Sequence, residues 1–342
     1  MRSIKLPSWI ERSLGVGSRP VPPHVFALSE TGLVYAGFGG AGGKRRGGPL
    51  ELSVLVSRNL PANWLASGPI GGAVRDVAVL REHIRAVISD LEDPPTEASL
   101  VIPDRWLQQV FLETGELPRS ERARDEVVRW KLRQQVPFRV EDLRVRGIEV
   151  EPLDNQEEPN RLLVGFASEN LLSSLEGAFA AEGVAIGHVS NVSSCFAVIA
   201  SRGRGGEALL WGESGGYTIQ ILRDGAPILI RAKRLEGALD ESVIEDLVER
   251  DLRLTFGFLR SRVEGLEIER LVVSSPGDAR AWVEAARRGT AEMGIVEPPP
   301  VQALQASELE RRAMLAPAVL QNSGASWREL QPLVGAASRR VA

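Results

Sequence analysis

The feature that most constrains this sequence is an order of predicted elements that occurs twice. The first half shows three short β-type runs parted by turn residues, then an amphipathic helix pattern at 73–91 and a strand-like run at 98–102. The second half shows three more β-type runs, a helix pattern that starts at Asp240, a strand-like run at 268–273 and a helix at 278–288. The repeated order predicts an α/β fold built by structural duplication, with two halves of mixed layers facing each other across a cleft.

Turn residues bound each of the β-type runs. The runs are 25–29, 32–38 and 50–57 in the first half, and 208–211, 217–222 and 227–232 in the second. Asp224-Gly225 predicts a tight hairpin turn between the last two runs. Beyond residue 288, the pattern predicts a strand at 293–296, a last helix at 307–320 and then a weakly patterned tail.

Residues 104–182 interrupt the repeat. A helix pattern runs from Ser120 to about Gln135 and ends before Pro137. Strand-like runs at 143–150 and 162–167 then surround an acidic loop, and a second helix pattern follows at 169–181. These residues predict an inserted α+β subdomain. The predicted organisation is a leader (1–23), a first half (24–103), the inserted subdomain (104–182), a return to the first half (183–206), a second half (207–322) and a C-terminal tail (323–342).

Composition argues against several classes of function. The 342 residues carry 41 basic and 45 acidic side chains, a net charge of −4, so no global positive field draws the chain to nucleic acid or to an anionic membrane. Cys195 is the single cysteine and the three histidines lie far apart, which argues against a zinc site or a disulfide framework. Because Cys195 lies in an apolar run, we expect a buried structural cysteine. The sequence shows neither a membrane-length apolar run nor a signal-peptide core, and it predicts a cytoplasmic protein.

Gly37, Gly39 and Gly42 match the spacing of a dinucleotide-binding fingerprint, but the match fails on physical grounds. In that fingerprint the last glycine opens a helix whose N-terminus holds a pyrophosphate, whereas the loop 39–48 leads into a strand. Lys44 is not a P-loop lysine, because the glycine and the Ser or Thr of that motif are missing around it. We expect a mobile basic hairpin tip, with a contact point for an acidic partner as the alternative.

The most distinctive stretch is an arginine-rich amphipathic helix pattern that ends in the turn Val136-Pro137-Phe138, followed by acidic residues and a strand. This stretch resembles the inserted subdomain of the PilM family of type IV pilus assembly proteins, which belongs to the actin-like ATPase superfamily with FtsA and has the cytoplasmic domain of GspL as a relative. The order of elements fits that family over about residues 24–320. The resemblance implies a duplicated actin-like (RNase H-like) α/β fold with an inserted α+β subdomain and two halves around a cleft.

The same resemblance places a nucleotide cleft between two β-hairpins, but the residues there depart from the family pattern. In the first hairpin Ala27 stands at the aspartate position, Ser29 at the glycine position and Val34 at the lysine position. The second hairpin keeps glycines but has no aspartate, and Glu213 could replace it only after a slip in register. Ser274-Ser275 stands where the family has two glycines. Carboxylates and a lysine organise Mg²⁺ and phosphate in such sites, so we interpret the cleft as degenerate. Its implied members are Ser29, Gly32, Gly212, Glu213, Ser214, Gly215, Gly216, Thr218, Ser275 and Gly277.

By resemblance, the implied function is a cytoplasmic scaffold of a type IV pilus or related secretion assembly, without catalytic residues, metal or cofactor. Its partner would be the cytoplasmic N-terminal tail of a PilN-like inner-membrane protein, held in a groove between the first half and the inserted subdomain. The expected partner-binding residues are Arg129, Trp130, Lys131, Arg133, Pro137, Phe138 and Arg139. The alternative for these arginines is a solvated helix face.

The pilus assembly motor ATPase is a further implied partner; nucleic acid is not, and membrane association would be indirect, at the inner membrane. Two rival functions stay open. One is an ATP-binding switch of the same machinery, with Mg²⁺ and with Glu213 as the acidic group. The other is an actin-like small-molecule kinase, which requires an aspartate base in the cleft, and no aspartate stands at the matching positions.

Overall fold

The computed structural model describes most of the chain. The described residues are 22–39, 50–66, 68, 70, 72–115, 117–150, 153, 160–235, 240–263, 265–276, 279–291, 298–315, 317–323 and 325–338. The predicted leader up to residue 21, the loop 40–49, most of the acidic loop 151–160 and the predicted strand 293–296 lie outside them.

The first half and the inserted subdomain contain these elements: β1 (His24–Leu28), β2 (Gly32–Gly39), β3 (Leu50–Asn59), β4 (Leu65–Ala66), β5 (Ala73–Val74), α1 (Val77–Ser89), β6 (Glu97–Ile102), β7 (Gln108–Thr114), α2 (Glu121–Arg133), β8 (Leu143–Val150), β9 (Asn160–Ser168), α3 (Glu169–Ala181), β10 (Ala185–Asn191) and α4 (Val192–Ala200). The second half and the last elements are: β11 (Gly206–Glu213), β12 (Gly216–Arg223), β13 (Ala226–Arg234), α5 (Glu241–Arg262), β14 (Ile268–Ser274), α6 (Ala279–Ala291), β15 (Val301–Ala303), α7 (Ala306–Glu310), β16 (Ala313–Leu315), α8 (Pro317–Ser323) and α9 (Trp327–Ser338).

Local sequence explains several element boundaries. The Asp76 side chain caps α1 by accepting hydrogen bonds from the N–H groups of Ala78 and Val79. Ser168 caps α3 in the same manner. Asp224 and Gly225 both have positive φ, at 51° and 78°, which is the backbone of a two-residue hairpin and confirms the predicted turn between β12 and β13.

The two main sheets share one topology. The first has the strand order β10-β6-β1-β2-β3-β16, and the second β13-β12-β11-β14-β15. In each sheet the three meander strands are antiparallel. The following strand, β6 or β14, pairs in parallel with the first meander strand, and a second one, β10 or β15, pairs in parallel with that strand. This repeat confirms the predicted structural duplication. Among the described elements, β16 is added to the first sheet only, where it pairs with β3 in parallel.

Four apolar clusters hold the layers together. One packs α1 and α3 against the outer face of the first sheet, and another packs α5 and α6 against the second. A central core joins residues of both sheets with α4 and α9. The fourth lies within the inserted subdomain, whose sheet has the order β7-β9-β8 and is covered by α2. The central core places the two halves against each other around the cleft.

The structure corrects several boundaries. Helix α3 was predicted within the inserted subdomain, but Leu171, Leu175 and Phe179 pack in the core of the first sheet. The predicted helix 307–320 is instead α7, the short strand β16 and α8, because the middle residues pair with the edge of the first sheet.

Two further elements were not predicted. Strand β7 lies in a stretch that was assigned no element. The segment from Trp327 was predicted as a weakly patterned tail, yet it forms α9, with Leu330, Leu333 and Val334 buried in the central core. Pro332 lies inside α9, and because proline is disfavoured in helix interiors, its presence argued against a helix despite the helical spacing of Leu330, Leu333 and Val334.

Candidate functional site

Two tight turns meet at the boundary between the halves. In the first, between β1 and β2, the Ser29 N–H donates to the Gly32 carbonyl at 2.8 Å. The Ser29 Oγ accepts hydrogen bonds from the N–H groups of Gly32 at 3.0 Å and Thr31 at 3.3 Å. This side chain therefore stabilises its own turn, as serine commonly does.

Arg105 links this turn to the second one, between β11 and β12. It follows β6, and its Nη2 lies 2.8 Å from Glu30 Oε1 on the first turn. On the second turn, Gly215 has φ +86°, and a Cβ added to it would lie 3.1 Å from Arg105 Nη1. The guanidinium thus occupies the space between the two turns and neutralises a carboxylate of the first.

Asp104 is buried beside Arg105 and joins both halves. Its Oδ2 accepts a 2.5 Å hydrogen bond from the Thr218 hydroxyl of β12, in the second half. Its Oδ1 accepts from the Ser193 N–H at 3.0 Å, at the N-terminus of α4. Burial raises the pKa of Asp104, whereas the hydrogen bonds from Thr218, Ser193 and Val192 oppose that rise.

Glu213 ends β11 and faces the same loop. Its Oε2 accepts a hydrogen bond from the Asp104 N–H at 3.4 Å. Burial, followed by repulsion from the Asp104 carboxylate, raises the pKa of Glu213 from 4.5 to about 8, against the opposing charge of Arg105. This shift favours the protonated form of Glu213, and a protonated carboxyl is a poor ligand for Mg²⁺.

Aromatic and arginine side chains close the next part of the cleft. A Cβ added to Gly212 would lie 2.6 Å from the Trp282 ring and 3.0 Å from Pro276, so a side chain at 212 requires these groups to move. Arg328 of α9 stacks over the Trp211 ring at 4.6 Å and donates to the Gly212 carbonyl. Burial lowers the pKa of Arg328 to about 10, which leaves the guanidinium charged at neutral pH.

The structure brings most of the predicted cleft residues together. Ser29 and Gly32 lie on the first turn, and residues 212–216 lie on and beside the second, with Ser214 exposed. Thr218 is buried against Asp104, and Ser275 is buried next to Pro276. Gly277 lies outside the described residues. Polar atoms of this cleft are bonded to each other across the two halves, an arrangement suited to holding the halves in place.

Sequence reasoning missed Asp104 and Arg105, the two residues that join the turns. A signal was present, because they follow directly after a buried parallel strand, β6, and the carboxyl ends of parallel strands are where α/β sheets place functional side chains. Their partners Glu30 and Thr218 lie far away in sequence, so the pairing itself could not be read from spacing.

The predicted partner-binding residues lie on α2 and the turn that follows it. The arginines of this set bond within the subdomain. Arg129 donates hydrogen bonds to the carbonyls of Val140 at 2.8 Å and Leu143 at 3.2 Å. Arg133 forms an ion pair with Glu141, and Arg139 lies 3.8 Å from Asp142. Phe138 packs partly against the subdomain core. Arg133 and Arg139 stay exposed despite these bonds, at 60% and 80% of their side chains. The accessible residues that are not arginines are Trp130, which is 54% exposed, Lys131 with its Nζ 5.4 Å from the Trp130 ring, and the exposed Pro137.

A groove runs between the inserted subdomain and the second half. It contains a cavity of about 370 Å³ and an adjoining one of about 530 Å³. We call it the edge groove and define it by β7 residues 108–111 and 113, β13 residues 229–232, Phe258 of α5, Lys131, Gln134 and Gln135 of α2, and Leu153 and Arg161. The prediction had instead placed a partner groove between the inserted subdomain and the first half. At that boundary Arg144 of β8 forms 2.6 Å ion pairs with Glu169 and Glu176 of α3.

Two structural features are absent from the described ranges. Within them, no group of three or more His, Cys, Asp or Glu side chains is arranged to hold a metal ion. None of the helices that the structure describes combines the length and the apolar character needed to cross a membrane. Cys195 is buried, in agreement with its predicted structural role.

Comparisons with known proteins give a match in structure only. No protein-family model and no curated protein matches the sequence. The fold is similar to a chain of a PilM-PilN type IV pilus biogenesis complex, with a TM-score of 0.70 and 17% identity over 95% of this chain and 100% of that chain. Two likenesses are weaker. One is to the cytoplasmic domain of EpsL, an inner membrane component of the type II secretion system of Vibrio cholerae, with a TM-score of 0.47 and 12% identity over 91% of this chain and 94% of that chain. The other is to a protein with actin-like ATPase fold and unknown function from Bacteroides thetaiotaomicron, with a TM-score of 0.48 and 8% identity over 96% of this chain and 99% of that chain.

Together with the duplicated sheet topology, the likeness to the PilM-PilN chain confirms the predicted fold, a duplicated actin-like α/β fold with an inserted subdomain. At this level of identity the likeness concerns the fold, and the resemblance to PilM is confirmed at that level.

Proposed function

We propose that this protein is a non-catalytic scaffold of a type IV pilus or related secretion assembly, and that it binds the cytoplasmic N-terminal tail of a PilN-like inner-membrane protein. The observation that carries the proposal is the whole-length likeness, at a TM-score of 0.70, to a chain from a PilM-PilN complex. The likeness includes the inserted subdomain, since it covers 95% of this chain.

The absence of ATP hydrolysis is part of the proposal, and the contents of the cleft support it. Arg105 lies between the two turns, the pKa of Glu213 is raised by burial, and Asp104 is engaged by Thr218 and Ser193. Phosphoryl transfer needs charged groups that organise Mg²⁺ and the phosphates. A cleft whose charged groups neutralise each other favours a fixed scaffold over a nucleotide-driven switch.

The surface proposed for the tail consists of three members of the predicted set, namely Trp130, Lys131 and Pro137. An exposed tryptophan supplies a large apolar contact area for a short peptide, and Trp residues often dominate binding energy. The tail would hold the protein at the cytoplasmic face of the inner membrane, so its membrane association would be indirect. The pilus assembly motor ATPase is proposed as a further partner.

Fluorescence anisotropy with a labelled peptide tests the main proposal. The peptide is the cytoplasmic N-terminal tail of a PilN-like membrane protein from the same organism. We expect saturable binding to the wild-type chain and at least tenfold weaker binding to Trp130→Ala. Trp327→Ala is the matched control, because Trp327 is an exposed tryptophan on a different helix. Absence of binding to the wild-type chain would contradict the scaffold proposal.

Nucleotide binding tests the second part separately. Calorimetry with millimolar Mg-ATP is expected to give no heat of binding. Thermal unfolding is expected to give no shift in melting temperature, because a ligand raises the melting temperature only when it binds the folded state. A rise in melting temperature with Mg-ATP would instead support an ATP-binding switch of the same assembly and leave the tail proposal intact.

A further inference from the structure

The edge groove lies between two strands that are each at the edge of their sheet. Strand β7 is the outer strand of the order β7-β9-β8, and β13 is the outer strand of β13-β12-β11-β14-β15. The cavities between them are lined from both sides, by Gln108, Gln109 and Val110 of β7 and by residues 229–232 of β13. Within the described residues, the two edges are not joined by a ladder of backbone hydrogen bonds.

The hydrogen-bond register shows which backbone groups of β13 point into the groove. The Leu235 N–H donates to the Gly215 carbonyl at 2.9 Å, so this pair is a hydrogen-bonded one. Hydrogen-bonded and non-hydrogen-bonded pairs alternate along an antiparallel ladder. By this alternation Arg231 bonds to β12, whereas Ile230 and Ala232 direct their N–H and C=O groups to the free edge. The free edge of β13 can therefore accept another extended strand.

The charge along the groove is positive. Among the described residues, its lining includes Lys131, Arg161 and Arg231 against one acidic side chain, Glu113. Arg231 Nη1 bonds neutral acceptors, the Asp251 carbonyl at 3.3 Å and the Thr255 hydroxyl at 3.2 Å, so its charge stays available to a ligand in the groove. Complementary charge selects acidic partners and raises their association rate.

Exposed apolar side chains form a stripe on α5, and one of them, Phe258, lines the groove. Phe258 is 39% exposed, and Leu254, one helical turn before it, is 56% exposed. Val243 lies on the same face of this helix and is also exposed. Apolar side chains of a bound segment would contact this stripe while its acidic side chains face the cations.

We propose that the edge groove binds an extended acidic segment of a partner protein, which adds to β13 as a further strand. Backbone hydrogen bonds to Ile230 and Ala232 would give affinity, and alternate side chains would meet Arg231 or the apolar stripe. This goes beyond the proposed function, since the tail surface around Trp130 shares only Lys131 with the groove and the groove would accept a second partner.

Selection from a displayed library of random hexapeptides on the immobilised full chain tests the proposal. We expect enrichment of peptides with at least two Asp or Glu residues alternating with apolar ones. The most enriched peptide, synthesised with a fluorescent label, is expected to bind the wild-type chain more weakly as salt is raised. Enrichment of peptides without acidic residues, or no enrichment, would overturn the proposal.

Variants then locate the binding. Ile230→Pro removes the N–H that points to the free edge and leaves the bonds to β12 in place, so we expect at least tenfold weaker binding of the selected peptide. Arg231→Glu and Phe258→Ser are expected to give a similar loss and carry the test if Ile230→Pro does not fold. Arg262→Glu is the control for charge reversal, because Arg262 is exposed on α5 outside the groove. Binding within twofold of wild type in all three groove variants would contradict the assignment.

Two further measurements separate the alternatives. The labelled PilN-like tail is expected to bind the groove variants as it binds wild type and to lose affinity in Trp130→Ala, so the failure of one proposal is distinct from the failure of the other. Sedimentation velocity tests whether a second copy of the chain fills the groove. Self-association that Arg231→Glu abolishes would replace the proposed partner with a second copy.

Discussion

At the scale of single residues, the carboxyl of Glu213 is expected to dominate the pH dependence of stability. Its pKa is about 8 in the folded protein and 4.5 without the fold. Between these values the folded state holds a proton that the unfolded chain has released, so the free energy of unfolding falls as pH rises from about 5 to about 8 and levels off above that. The physical reason is the burial of the carboxyl, which disfavours its charged form, followed by repulsion from Asp104 on ionisation.

Glu213→Gln tests this expectation. The amide oxygen can still accept the hydrogen bond from the Asp104 N–H, and the side chain no longer ionises. We expect the variant to lose most of the slope and to be more stable than wild type above pH 8, by on the order of 2 kcal/mol. Urea unfolding at pH 6 and pH 8.5 measures both quantities. An unchanged slope would mean that Glu213 is ionised throughout this range.

The sequence indicated Glu213 but not its environment. Its position at the end of a β-type run, among glycines, could be read from the chain. Its raised pKa depends on Asp104, which is more than a hundred residues away in sequence and approaches only because β6 and β11 end at the same cleft. The same limit applies to Arg129, predicted as a partner-binding residue, whose bonds to Val140 and Leu143 exist only once the turn after α2 has formed.

At the scale of elements, the contact between α4 and α9 depends on the lack of a side chain at Gly335. A Cβ added there would lie 2.1 Å from the Cys195 carbonyl oxygen, which is backbone and cannot move aside easily. We expect Gly335→Ala to destabilise the protein by about 3 kcal/mol or more, since overpacking of this kind separates the two helices. Gly177→Ala in α3 is the control: nothing lies within 4 Å of its added Cβ. Its helix propensity should raise stability by about 0.5–1 kcal/mol. Urea unfolding of both variants checks the pair, and equal stabilities would contradict the close contact.

A buried arginine joins four elements in the second half and the central core. Arg270 of β14 forms ion pairs with Glu207 of β11 at 2.8 Å and with Glu308 of α7 at 2.9 Å, and it donates to the Ala200 carbonyl at the end of α4. Arg270→Met would leave the buried Glu207 without its cation and Glu308 with only the exposed Arg311, and we expect a loss of about 3–5 kcal/mol in the free energy of unfolding.

Arg311→Met is the matched comparison for Arg270→Met. Arg311 also pairs with Glu308, at 3.4 Å, but its side chain is 63% exposed. Exposed pairs contribute about 0–1 kcal/mol, so its removal should change stability little. Chemical denaturation measures both, and similar losses in the two variants would show that burial of Arg270 is not the source of its effect.

Element prediction succeeded where periodicity was undisturbed and failed where it was broken. The meander strands and helix α3 follow from alternation and helical spacing, and α3 was predicted with its observed bounds. Strand β7 was missed because its polar and apolar residues do not alternate cleanly, and α9 because Pro332 interrupts a helical pattern. The short strand β16 owes its conformation to pairing with β3, which local sequence does not encode.

At the scale of the whole molecule, the two halves are held together through the cleft. Arg105 lies against both turns, and Asp104 bonds groups of both halves. We expect Arg105→Ala to free the turns, so that deuterium exchange becomes faster at 28–32 and 213–216 while the sheet of the inserted subdomain is unchanged. Mass-spectrometric hydrogen exchange measures this. Equal exchange in wild type and variant would mean that the central core alone fixes the halves.

The duplicated architecture could be predicted from the sequence because both halves repeat the same order of elements. The contents of the cleft could not, since they depend on side chains such as Trp282 and Arg328 that reach it from elements distant in sequence. The edge groove is likewise a product of assembly, as β7 and β13 belong to different sheets.

The path of the chain has a consequence for its biosynthesis. Strand β16 and helix α9 return to the first sheet and to the central core after the second half has been traversed. A ribosome therefore releases the meander of the first half long before the residues that complete its edge and its inner face. Until those residues emerge, the apolar inner face of the first sheet is open to chaperones, and the time needed to translate the second half sets how long that exposure lasts.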